Sequence, residues 1–154
     1  MVFFDLETTG FDRPIRPVQV SKIIMCHVIV VSQIGAVDSW GENCFNEFVW
    51  PRRNVHPKAT LTNNFYTSKG SLYRYGEELE CLDLVDALMA FMEWLQELGG
   101  NIVLVAHKCL DYDAKVLLRN LEEFSIQYSD IIMGFSDSLL ASRQLYTEVH
   151  FIPL

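Results

Sequence analysis

The chain has 154 residues, half of them hydrophobic and 21% charged, which predicts one globular domain over 1–154. No apolar run is long enough for a membrane span, so we expect no membrane partner, and the strand-like start predicts no secretory signal. The net charge is −8: residues 1–74 carry eight Lys or Arg against six Asp or Glu, and residues 75–154 carry four against fourteen. A binder of nucleic acid over its whole surface should be basic, so any such contact must be local.

In chain order, the first half predicts three strands with short connections. Val2–Leu6 alternates and is aromatic, Val18–Ser32 is a long β-branched run, and Asn43–Trp50 is a third strand stopped by a proline. Glycines between the second and third strands predict a turn over Gln33–Glu42. Short connections favour antiparallel pairing of these strands.

Residues 52–80 show no strong period, and a long irregular segment in a compact domain is usually functional or disordered. After them, helical and strand patterns alternate: a helix over Leu82–Leu98, a strand over Ile102–Ala106, a helix over Ala114–Phe124, a strand over Ile131–Phe135, and a helix capped by Asp137 that runs to about Tyr146. The sequence therefore predicts a mixed α/β sheet, with three antiparallel strands followed by two parallel strands, flanked by helices.

The four cysteines match no zinc-binding spacing. Without a secretory signal they are expected to be reduced thiols. This indicates an intracellular protein, in the nucleus or the cytoplasm.

Two acidic side chains stand out on the first strand. Asp5 and Glu7 are two positions apart, so they project from the same face, roughly 7 Å apart along the chain. Two carboxylates so close repel each other, and a hard divalent cation with oxygen ligands would remove that repulsion. The alternative is an edge strand with a solvated acidic face.

A second acidic cluster follows the buried strand that ends at Ala106. Asp111 is the better N-cap candidate for the next helix, which leaves Asp113 free to face the sheet. Because ligands bind at the carboxyl ends of strands in α/β sheets, this is a natural position for a site.

These segments resemble two motifs of the DEDD 3′→5′ exonucleases, a branch of the ribonuclease H-like fold. Residues Phe3–Gly10 resemble the opening motif, and Val105–Asp113, followed by two leucines, resembles the second motif. The spacing from His107 to Asp113, with Tyr112 before the aspartate, is most similar to the three-prime repair exonucleases. Leu61-Thr62-Asn63 stands where that family has an apolar–Thr–Gly step, so the resemblance covers nearly the whole chain in order.

The chain departs from the family pattern in two places. Lys108 replaces an asparagine of the second motif, which places a cation beside the site. The third motif, with its general-base His or Tyr and fourth carboxylate, has no match; His150 comes too early and is expected to be non-catalytic. We therefore expect a fragment, a shortened isoform or a decayed relative, with a C-terminally incomplete fold and slow catalysis at best.

The resemblance implies a two-ion site for Mg²⁺ or Mn²⁺, one ligand short. Asp5 would bridge both ions, Glu7 would bind the first and Asp113 the second; these three are also the catalytic residues it implies. The substrate-binding residues that it implies are Thr8, Thr9, Gly10, Phe11, Leu61, Lys108 and Tyr112. Leu61 would wedge against the last base, although ordinary core packing is an equally simple interpretation.

The sequence supports weaker interpretations of three other sets of residues. The basic residues of 52–74 would meet phosphates or are simply solvated charges. His107 is interpreted as a hydrogen-bonded core histidine, and Asp137 as a helix cap rather than a ligand.

The sequence thus predicts a metal-dependent 3′→5′ exonuclease domain that hydrolyses phosphodiester bonds at single-stranded DNA or RNA ends. The alternative is a catalytically inactive, nuclease-like module that binds nucleic acid or protein. The nuclease-like C-terminal domain of the promyelocytic leukaemia protein is similar to this second kind.

Overall fold

A computed structural model of the chain describes residues 1–10 and 31–148, with side chains up to residue 144. Its elements in chain order are β1 Val2–Thr8, β2 Val31–Asp38, β3 Cys44–Phe48, α1 Pro57–Asn63, β4 Phe65–Ser68, β5 Ser71–Arg74, β6 Glu77–Glu78, α2 Leu84–Glu97, β7 Ile102–Ala106, α3 Asp113–Glu123, β8 Ile132–Asp137 and α4 Ser138–Glu148. In this part of the chain, none of the helices combines the length and apolar character needed to cross a membrane.

The main sheet has five strands in the order β3-β2-β1-β7-β8. The β1–β2 and β2–β3 pairs are antiparallel, whereas β1–β7 and β7–β8 are parallel. The predicted mixed sheet is therefore confirmed. Because β1 and β7 are parallel neighbours, their carboxyl ends lie at the same end of the sheet. With β2 on its other side, β1 is a central strand rather than an edge strand.

The main core forms because strands and helices bury one apolar face each. In β1 the side chains of Val2, Phe4 and Leu6 are buried. In α2 the residues at helical spacing, Leu84, Leu88, Phe91, Met92 and Leu95, are buried in the same cluster. This helix packs against β2 and β3 through the apolar face that the period of the sequence predicted.

The turn predicted over Gln33–Glu42 is confirmed for 39–42 and wrong for 33–38, which belong to β2. Gly35 suggested a turn, but it pairs with Asp5 of β1 on one side and Asn46 of β3 on the other. Hydrogen bonding on both sides outweighs the weak strand preference of glycine. The predicted strand over Val18–Ser32 lies mostly outside the described residues.

The irregular segment predicted over 52–80 is also wrong. It forms α1 and an antiparallel sheet, β4-β5-β6, around a small core of its own, made by Val55, Ala59, Phe65 and Leu72. A seven-residue helix and four-residue strands are too short to show a period in the sequence.

Candidate functional site

Asp5 and Glu7 lie on one face of β1, as predicted. Asp5 is exposed and Glu7 half-buried, while the intervening Leu6 is buried in the main core. The alternation of the pleated strand therefore directs both carboxylates away from the core. Since β1 lies between β2 and β7, the alternative of a solvated edge strand is excluded.

Asp113 approaches the same strand from the other motif. It is only 5% exposed, and its Oδ1 accepts a hydrogen bond from the Leu6 N–H at 3.2 Å. Burial raises the pKa of Asp113 to about 6; the Leu6 N–H opposes this rise, and the negative charges of Asp5 and Glu7 add to it. Three carboxylates separated by up to 108 positions of sequence thus influence one another. The single N–H donor of Leu6 does not offset the burial of the Asp113 carboxyl.

The predicted N-cap at Asp111 is wrong. The residue at the cap position of α3 is Tyr112, which makes no side-chain capping bond. The backbone N–H of Asp111 instead donates to the Lys108 carbonyl at 2.9 Å, within the tight loop that joins β7 to α3. This loop turns Asp113 back towards β1, so the prediction that Asp113 faces the sheet is confirmed.

A pocket of about 320 Å³ opens where these elements meet. The three carboxylates line it together with residues of α1 and of the loop after β7. The full lining is Asp5, Leu6, Glu7, Thr8, Ala59, Thr62, Asn63, His107, Lys108, Tyr112 and Asp113. Six of the predicted site residues therefore converge on one cavity, namely Asp5, Glu7, Thr8, Lys108, Tyr112 and Asp113.

Asn63 is a site residue that the sequence interpretation missed. It is buried at the end of α1, and its Nδ2 donates to Glu7 Oε2 at 2.9 Å, while its Oδ1 accepts from the Phe65 N–H at 3.1 Å. The side chain therefore orients Glu7. The only sequence signal was its replacement of the glycine in the apolar–Thr–Gly step, which carries no indication of a partner 56 positions away.

The substrate-binding residues predicted at the end of β1 are held firmly. Thr8 Oγ1 and Tyr112 Oη are 2.6 Å apart, and Thr9 is buried, with its carbonyl accepting the His56 N–H at 2.8 Å. A side chain at Gly10 would lie 3.2 Å from the His56 Cβ, so the backbone approaches α1 closely here. Phe11 lies outside the described residues.

Leu61 is 86% exposed on α1, which excludes core packing for it, but it does not line the pocket. Its predicted contact with a terminal base stays a prediction. Arg74 is not a solvated loop charge, because its guanidinium lies 4.9 Å from the centroid of the Phe65 ring. Of the other basic residues, Arg52, Arg53, Lys58 and Lys69 are exposed.

The loop after β7 brings two more side chains to the pocket. Lys108 is exposed and has a backbone φ of +56°, a left-handed conformation that is uncommon for a residue other than glycine. His107 is also exposed, so the interpretation of it as a core histidine is wrong. The strand ends one residue earlier, at Ala106, and the chain leaves the core there.

Asp137 caps α4, as predicted: its Oδ1 accepts from the N–H groups of Leu139 and Leu140 at 2.9 and 3.2 Å. Burial works to raise the pKa of Asp137, but these N–H donors and those of Leu110 and Lys108 outweigh it, and the pKa lies below its usual range. Asp137 therefore also holds the loop that carries Lys108.

The donor set fits a hard divalent cation by its chemistry. Three carboxylates line one pocket, and burial together with the charges of Asp5 and Glu7 disfavours the ionised form of Asp113, which a bound cation would favour. Within residues 1–10 and 31–148, however, no three His, Cys, Asp or Glu side chains form a ready-made metal site. The carboxylates are gathered around the pocket without being preassembled into a ligand cage.

Comparison with known proteins found solved structures of similar fold. No family model and no curated protein sequence matches the chain. Similar solved structures include exonuclease X with 5′-overhanging duplex DNA (16% identity, TM-score 0.56, covering 97% of this chain and 66% of that one). They also include E. coli exonuclease I with a dA16 oligonucleotide (14% identity, TM-score 0.58, covering 94% of this chain and 29% of that one). A third is the zinc-bound form of the E. coli exonuclease I complex with single-stranded DNA (16% identity, TM-score 0.57, covering 99% of this chain and 31% of that one).

At these identities the likeness shows a shared fold, and it agrees with the ribonuclease H-like α/β fold expected from the two motifs. This chain spans less than two thirds of the length of either exonuclease I structure and 66% of the exonuclease X chain. The finer resemblance to the three-prime repair exonucleases stays a prediction.

Proposed function

We propose that the domain is a metal-dependent 3′→5′ exonuclease that hydrolyses phosphodiester bonds at single-stranded DNA or RNA ends. One observation carries this proposal: two carboxylates of β1 and one from the start of α3, which follows the neighbouring parallel strand β7, meet at one pocket, and the buried carboxylate among them has a raised pKa. An unpaired acidic cluster of this kind is costly to fold, and cation binding offsets that cost.

Asp5, Glu7 and Asp113 are the residues that would hold Mg²⁺ or Mn²⁺. Bound divalent ions would polarise the scissile phosphate and lower the pKa of an attacking water. The chain's own contribution is to hold the carboxylates in register: Leu6 fixes Asp113 through its N–H, and Asn63 fixes Glu7.

The pocket also offers groups for the nucleic acid itself. Lys108 supplies a positive charge beside the carboxylates, suited to a phosphate oxygen. His107 adds an imidazole to the lining of this pocket. The hydrogen bond between the hydroxyls of Thr8 and Tyr112 joins the end of β1 to the start of α3 at the wall of the pocket.

The proposal is supported by solved structures of the same fold that hold single-stranded or overhanging DNA. The test is an oligonucleotide labelled at its 5′ end, incubated with pure protein and Mg²⁺ or Mn²⁺. A ladder of labelled products shortened stepwise from the 3′ end is expected, and it should form slowly, because the general base and the fourth carboxylate of the third motif have no match in the sequence. A 3′-labelled substrate should release labelled mononucleotide first.

A matched pair of variants makes this test specific. Asp113→Asn should abolish cleavage, whereas Asp130→Asn should leave it unchanged. Asp130 is exposed and precedes the amino end of β8, so it lies at the opposite end of the parallel strands from the pocket. Binding without cleavage by the unaltered chain would indicate an inactive binding module instead. Equal cleavage by both variants would refute the assignment of this pocket.

A further inference from the structure

An exposed aromatic ring stands on the hairpin that follows α1 and β4, at a residue with an unusual backbone conformation. Tyr75 is 74% exposed and forms, with Gly76, the two-residue turn between β5 and β6. Both residues have positive φ, +53° and +90°. Such turns favour Asn, Asp or Gly at the first position, and a bulky aromatic residue is strained there. The turn itself therefore does not account for a tyrosine.

Two contacts hold the Tyr75 ring in place. The Nδ2 of Asn64 donates to Tyr75 Oη at 3.2 Å, and the Arg74 guanidinium lies 5.4 Å from the ring centroid. The same guanidinium lies over Phe65, which is fully buried in the small core. The ring is thus fixed to the small core by its neighbours while it stays exposed.

The ring is also tied to the carboxylate site through two consecutive asparagines. Asn63 reaches into the pocket to Glu7, and Asn64, whose φ is +62°, directs its side chain to Tyr75 instead. Consecutive Cα atoms are about 3.8 Å apart. The anchor of Tyr75 and the anchor of Glu7 are therefore adjacent residues at the end of α1, the helix that also exposes Leu61.

We infer that Tyr75 is a stacking platform for a base of the single strand whose end enters the carboxylate pocket. This inference rests on the proposed function and adds a base-binding residue to it. An exposed, immobilised ring with a cation beside it suits a nucleobase, because every base has a π-face and stacking tolerates any sequence. Burial cannot be the purpose of a ring that is 74% exposed.

The first experiment compares binding of a fluorescent single-stranded oligonucleotide, by anisotropy in EDTA, to the unaltered protein, Tyr75→Asn and Tyr75→Trp. Asparagine removes the ring yet suits the left-handed turn, so this variant should fold at least as well as the original. The loss of one stacked base predicts a dissociation constant raised roughly 5- to 150-fold for Tyr75→Asn. Tyr75→Trp should bind as tightly as the unaltered protein.

The matched control is Trp40→Ala. Trp40 is 83% exposed and lies in the turn after β2, where the neighbouring Ser39 N–H donates to the Met1 carbonyl, at the opposite end of β1 from the pocket. Its loss should leave binding unchanged. An equal loss of binding in Trp40→Ala and Tyr75→Asn would overturn the inference, since it would show only a general preference for exposed rings.

A second experiment separates stacking from other effects of the variant. A series of oligonucleotides is used, each with a single abasic nucleotide at a different position counted from the 3′ end. At one position the missing base should weaken binding to the unaltered protein but not to Tyr75→Asn. If Tyr75→Asn binds as the unaltered protein does while the 3′-end ladder persists, the inference is wrong and the proposed function stands. If the unaltered protein neither binds nor cleaves, both are overturned.

Discussion

Replacing Asp113 by asparagine should stabilise the metal-free protein at pH 8. The pKa of Asp113 is raised from 3.8 to about 6, so its ionised form is disfavoured in the folded state. At about 1.4 kcal/mol for each pKa unit, a shift of about two units corresponds to roughly 3 kcal/mol. The pocket is open to water, which lowers the cost of ionising the buried carboxyl and screens the nearby charges, and we therefore expect a gain of about 1–2 kcal/mol in the free energy of unfolding.

The sign of the pH dependence follows from proton binding. Between about pH 4 and pH 6 the folded protein holds the Asp113 proton more tightly than the unfolded chain does, so this group makes stability fall as pH rises. Below that window the carboxyl is neutral in both states and the advantage of asparagine disappears. The amide also keeps an oxygen that can accept the Leu6 N–H.

The assay is urea unfolding of both proteins in chelator at pH 4 and pH 8. Asp113→Ala serves as the control, because it removes the charge but also the acceptor of the Leu6 N–H, and an unpaired buried donor costs about 1–3 kcal/mol. Asparagine should therefore exceed alanine in stability at both pH values. A variant with asparagine that is less stable than the original at pH 8, or equally offset at both pH values, would refute the reasoning.

Three further predictions concern the same site. Mn²⁺ or Mg²⁺ should raise the melting temperature of the original chain by binding its native state, and Asp5→Asn should lose this shift; a full shift in the variant would place the ions elsewhere. Asn63→Asp should lower the melting temperature at pH 8, because it sets a second carboxylate against Glu7; an unchanged value in thermal unfolding would contradict that contact. Leu61→Ala should change stability by less than about 0.5 kcal/mol, because the side chain is 86% exposed, yet weaken oligonucleotide binding in titration; unaltered affinity would argue against the wedge.

The parts of the site that the sequence predicted are those set by local alternation. Asp5 and Glu7 share a face because strands have a period of two, and Asp113 follows a buried strand whose apolar run is plain in the sequence. Their meeting at one pocket depends on the parallel pairing of β1 and β7.

What the sequence could not predict depends on distant partners. The bond from Asn63 to Glu7 joins positions 56 apart, and the hairpin that carries Tyr75 is made of strands too short to show a pattern. Gly35 suggested a turn because glycine has little strand preference of its own, and its pairing partners Asp5 and Asn46 lie elsewhere in the sequence. The intracellular location and the metal dependence stay predictions.

The small core around Phe65 and Leu72 is separate from the main core, which gives the α1–hairpin unit its own stability. Such units open sub-globally at a lower free energy than the whole fold, so amide hydrogen exchange should be faster in β4 and β5 than in β1 and β7. Each opening would detach Asn63 from Glu7. A ligand that bridges the pocket and this unit would therefore slow exchange across the small sheet, at amides it never touches.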